Sequence, residues 1–219
     1  MYKTTKTLLH VFLGVITFVF LVGLSMTPSL SSPNASRSIP ETSARETAQV
    51  IAGQATSINQ HLMADLREAE SVLMAQGMPD LGMQRYAAIL MPNNVVPSGP
   101  TTTATGVAGA VLMGDRLVVR GDFGSLSSPL RDYAADPVSP PNPNITSGVH
   151  IHRGDASQNG PFQYALTVML NPSELGGRFS GAYTLTAEQK QALMNGQLYV
   201  DIHTKQNRAG ELRGIFRAI

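Results

Sequence analysis

The chain has 219 residues, 42% of them apolar, which is enough for one sizeable core plus an appendage. Charged residues make up only 14% and the net charge is +1, so the basic footprint of a nucleic-acid binder is excluded. There is no cysteine, which excludes disulfides, thiolate metal sites, cysteine nucleophiles and a lipidated N-terminal cysteine.

Residues 1–30 read as a signal peptide or an N-terminal membrane anchor. Lys3 and Lys6 precede an uncharged run from Leu8 to Met26 dominated by large apolar side chains. That run is longer than an ordinary signal core and close to the length of a spanning helix, so cleavage and retention both stand open. With positive charge on the short N-terminal flank, either reading places the rest of the chain across a membrane, in a periplasmic, membrane-anchored or extracellular position.

The stretch from Thr27 is rich in Ser, Thr and Pro, and residues 31–43 read as a disordered linker. From Ala44 the pattern changes. Ile51, Ala55, Ile58, Leu62, Leu66, Ala69 and Leu73 recur at steps of three and four, one face of an amphipathic helix within residues 44–80, with Gly77 and Pro79 as stop signals. The stripe can pack on the following domain, serve as a tether, or form a short coiled-coil seam.

From Arg85 onward short apolar or alternating runs predict strands at Tyr86–Leu90, Gly106–Leu112, Arg116–Phe123, Val149–His152, Phe162–Leu170, Gly177–Tyr183, Leu198–His203 and Glu211–Arg217. Turn formers separate them, and Thr186 with Gln189 predicts a capped helix over Ala187–Met194. The region between Leu126 and Gly148 holds five prolines and reads as a long loop. The fold class is mainly β: an antiparallel, Greek-key-like sandwich over 85–219, preceded by an amphipathic helix.

Four segments carry chemistry: Gly148–Gly154 (GVHIHRG), Asn159–Pro161 (NGP), Tyr199–Thr204 (YVDIHT) and Gly210–Gly214 (GELRG). In this order, with Leu185–Gln189 (LTAEQ) between them, they resemble the CHRD domain, named for chordin and frequent in bacterial exported proteins. Val95 and Asp201 stand where that family usually has Glu and Asn. The resemblance implies an immunoglobulin-like or related β-sandwich and no catalytic residues. It makes a non-catalytic envelope or extracellular module, binding a protein or surface ligand, the first functional expectation.

Residue chemistry adds a second. On a strand, His150 and His152 share one face opposite Ile151, and Tyr199, Asp201 and His203 share one face opposite Val200 and Ile202. A His-x-His strand with a third histidine on another strand suits copper or zinc, with or without redox chemistry. The same spacing is similar to the copper/zinc superoxide dismutase sandwich. That likeness lacks the bridging histidine, and it has Glu211 where an anion-guiding arginine stands. The alternative is a metal-free polar network in which Asp201, Thr204, Glu211 and Arg213 fix the loops, with Glu211 and Arg213 reaching His203 or Asp155. His61 reads as a solvent-facing helix residue.

Overall fold

The computed structural model describes residues 41–77 and 82–219. The leader over 1–30, linker residues 31–40, Pro79 and the end of the expected helical segment lie outside the described residues. Among the described residues no helix is long and apolar enough to cross a membrane.

The first element is α1, Glu41–Ala75, so residues 41–43 are helical rather than linker. Ten strands follow: β1 (Gln84–Leu90), β2 (Thr105–Met113), β3 (Arg116–Gly124), β4 (Val149–Arg153), β5 (Phe162–Ala165), β6 (Thr167–Leu170), β7 (Gly177–Thr184), β8 (Leu198–Ile202), β9 (Leu212–Ile215) and β10 (Arg217–Ala218). A short helix α2, Ala187–Met194, lies between β7 and β8, with the capping box of Thr186 and Gln189 in place. All pairings are antiparallel. One sheet runs β10-β1-β2-β3-β7-β6 and the other β5-β4-β8-β9.

Two runs that read as single strands are divided between the sheets. Phe162–Leu170 breaks at Leu166 and Glu211–Arg217 breaks at Phe216. At each break one large apolar side chain is buried in the core, and its backbone N–H still reaches the second sheet, Leu166 to Val149 and Phe216 to Leu198. The corner keeps the backbone bonded while the strand changes sheet.

The core between the sheets takes Leu90, Leu112, Leu117, Val119, Phe123 and Phe179 from the first sheet. It takes Val149, Ile151, Leu198, Val200, Ile202 and Leu212 from the second. The back of the first sheet is covered by α1, where Leu66, Ala69 and Leu73 pack on Val111 and Val118. That close approach needs Gly109, because a Cβ there would lie 2.9 Å from Leu66 Cγ. Only the C-terminal half of the expected stripe is used. Ala55 is exposed, and Ile58 and Leu62 are half-buried.

Candidate metal centre

Strand alternation assembles the site. His150 and His152 on β4 lie directly opposite Asp201 and Tyr199 on β8, and Asp201 lies opposite Arg213 on β9. Cross-strand partners share a face, so these five side chains stand on the outer face of the second sheet while Ile151, Val200 and Ile202 fill the core. His203 follows β8 directly and keeps the register by donating its backbone N–H to Gly148 O.

The three histidine rings meet. Their centroids lie 5.1 Å (His150–His203), 5.8 Å (His150–His152) and 6.1 Å (His152–His203) apart. Each offers a ring nitrogen, and these atoms all lie within 4.8 Å of one another. An ion bonded at about 2.0–2.1 Å to each would hold them roughly 3.3–3.6 Å apart, a closure within reach of small ring rotations.

Hydrogen bonds assign the protons. The carbonyls of Ser147, Gly160 and Arg208 accept from His150 Nε2, His152 Nδ1 and His203 Nδ1. A carbonyl only accepts, so each of those nitrogens carries the hydrogen and the other ring nitrogen keeps its lone pair. Two of the lone-pair atoms, Nε2 of His152 and of His203, are buried with no hydrogen-bond partner. Burial pushes all three basicities down, His150 to about 3 with added repulsion from His203, so the rings are the neutral form that metals bind.

Around the rings sits a tight polar frame. Arg213, only 1% exposed, gives Nε and Nη2 to the two oxygens of Asp201 at 2.7 Å each. It also reaches Gln158 O and Asn159 Oδ1, and lies 4.2 Å over the Tyr199 ring. Tyr199 stacks on His152 and accepts from Gly160 N–H, while Gly160 O takes the His152 proton. A Cβ on Gly160 would meet Arg153 O at 1.8 Å, which explains the Asn-Gly-Pro segment: it must pass hard against β4.

Glu211 and Arg213 do not extend to His203 or Asp155 as expected; they anchor two separate networks. The buried Glu211 carboxylate accepts from Thr102 Oγ1, Ser127 N, Ser127 Oγ, Thr204 Oγ1 and Asn207 Nδ2. Burial works to raise its pKa, and the donors outweigh it and hold the group below the usual glutamate range. The ionised acid therefore ties loops together from a buried position.

Several neighbours were not singled out from the sequence. Tyr133 lies 5.1 Å from His150 and 6.3 Å from His203, and Phe162 lies 5.4 Å from His150 and 6.2 Å from His152. Arg131 sits 4.5 Å over Tyr133, pairs with Asp136, and donates its backbone N–H to His203 O. Tyr133 is the only aromatic residue in the proline-rich loop, a signal that was available. The helix residue His61 is exposed but paired, its Nδ1 lying 2.8 Å from Asp122.

The four segments noted in the sequence thus converge on one face. The CHRD domain family model matches residues 86–216, well over half of the chain. The chain belongs to the CHRD domain family. No curated protein and no solved structure matches it. In this CHRD domain the HIH and NGP segments, Tyr199, Asp201 and Arg213 form one polar frame beside the three histidines, and Thr204 and Glu211 belong to a second network.

Proposed function

We propose that this CHRD domain is an exported, non-catalytic binding module, and that the group it binds at His150, His152 and His203 is a copper or zinc ion. The observation that carries the reading is the pair of buried imidazole nitrogens without partners, in a cluster where each ring has one nitrogen fixed by a backbone carbonyl. A metal-free polar network would be expected to satisfy those atoms, because an unpaired buried acceptor costs about 1–3 kcal/mol. Carbonyls holding the far nitrogens are also the usual support of histidine ligands. Export is supported by the charge pattern and apolar run of residues 1–30.

The test is metal content and thermal stability of the full chain with and without copper and zinc, beside His203→Ala. At 100 times its Kd, a bound ion stabilises by about 2.7 kcal/mol. The expected result is one ion per chain with that stabilisation, absent in the variant. Equal stability with and without metal would leave the frame as a loop anchor. Export is tested by fusing a reporter active only in the cytoplasm after Ile219; it should be silent, and a bright signal would remove that part of the reading.

A further inference from the structure

We infer that the three-histidine cluster, taken as the metal site proposed above, is built for copper in its monovalent state rather than for a divalent ion. Among the described residues the cluster is three imidazoles with no carboxylate or thiolate joined to it. The nearest acid in the frame, Asp201, has both oxygens taken by Arg213. Glu211 has both oxygens taken by its donors. Neither carboxylate is free to turn toward the rings and join the ion as an anionic ligand.

The setting is also poor in water. His150 is 1% and His203 8% exposed, and the half-buried His152 keeps its unpartnered Nε2 out of solvent. Aromatic rings flank the cluster: Tyr133 against His150 and His203, Phe162 against His150 and His152, and Tyr199 stacked on His152. The cost of desolvating an ion grows with the square of its charge, so a divalent ion meets roughly a fourfold larger penalty here than a monovalent one.

Coordination number points the same way. Zinc takes four ligands, and on three histidines it completes the set with water or hydroxide. Copper(II) prefers a tetragonal set and so also needs a fourth donor. Copper(I), with a filled d shell, is satisfied by three nitrogens in a near-planar triangle. That arrangement needs neither an anion nor water in the aromatic surround.

The experiment is a pair of competitions on the full chain. Copper(I) is titrated under argon against bicinchoninate, and zinc is titrated against a chromophoric zinc chelator. A third measurement exposes the copper-loaded chain to air and records the EPR spectrum. The expected result is a copper(I) Kd at least 100-fold below the zinc Kd, and copper that stays bound and EPR-silent in air. Zinc binding as tight as copper(I), or a copper(II) signal from retained copper after air exposure, would overturn this inference while leaving the metal reading intact. Binding of neither ion would remove both.

A charge variant gives an independent check. Tyr133 lies half-exposed on the proline-rich loop and flanks the rings, so Tyr133→Asp adds an anion beside the cluster and opens that side of it to water. Zinc affinity should rise at least tenfold relative to copper(I). An unchanged ratio in the folded variant would show that neither charge nor exclusion of water sets the preference, and would overturn the inference. If the variant does not fold, the wild-type competitions decide alone.

Discussion

At Glu211 five donors converge on one buried carboxylate, one of which, the Ser127 backbone N–H, cannot turn round to accept. Glu211→Gln keeps the shape but sets an NH2 against donors on one side. The expected cost is about 2–3 kcal/mol in urea unfolding, and a loss below about 0.5 kcal/mol would show that the loops are held by other contacts. The sign of the pH dependence follows from the lowered pKa. An unfolded glutamate titrates near 4.5, and the folded one lower. Its contribution is therefore fully present above about pH 4.5 and is lost as pH falls through the folded value, and Glu211→Gln should remove that part of the acid limb.

At the scale of elements, α1 concentrates its packing in its second half. Leu66→Ala should cost about 2–4 kcal/mol, since Leu66 is buried against Gly109, Val111 and Val118. Ala55→Asp, on the exposed half, should cost nothing measurable. Equal effects at both positions would mean the helix does not sit on β2 and β3 as described. Beside Leu66, Asp65 is 1% exposed, and burial pushes its pKa up from 3.8 to about 6, opposed by Arg178. Here the sign is opposite to that of Glu211. The folded state holds the proton more tightly, so stability falls by about 3 kcal/mol as pH rises from about 4 to about 6. Asp65→Asn should flatten that slope. A slope unchanged in the variant would assign it to another group.

The same element shows what sequence can convey. Period-3.6 spacing placed the helix and its seam, but the seam's depth depended on where β2 offered a glycine, which is a property of two segments 43 residues apart (Leu66 and Gly109). Strands were legible from alternation, and their edges moved by a residue or two. The two breaks at Leu166 and Phe216 were hidden, because a residue that turns a corner inward looks like any other apolar position in a run. The histidine face was legible for a plain reason: period two puts His150 and His152 together whatever the partner strand does. The partners of Glu211 and Arg213 were not, since they come from Thr102, Ser127 and Asn159, far away in sequence. Tyr133 was hidden in a loop whose path prolines alone do not specify.

Over the whole molecule, the histidine cluster adds a link among three loops that the Glu211 and Arg213 networks already anchor. Each ring gives its second nitrogen to a carbonyl on a different segment: His150 to Ser147 at the end of the proline-rich loop, His152 to Gly160 in the turn before β5, and His203 to Arg208 in the loop before β9. Fixing the three rings on one ion would fix these three carbonyls at the same time. Any opening that detaches one loop from its ring then has to weaken a metal bond as well. At 100 times the Kd such openings become up to about 100-fold rarer. Hydrogen exchange on the full chain should therefore show metal-dependent protection at 126–148, 154–161 and 203–211. The exposed stretch of α1 over 52–57 lies away from the cluster and opens without disturbing it, so its exchange should stay unchanged. Metal bound at one equivalent with no gain in these three loops would show that the carbonyl contacts do not couple the rings to the backbone. A gain confined to one loop would show that only the histidine bonded to that loop holds the ion.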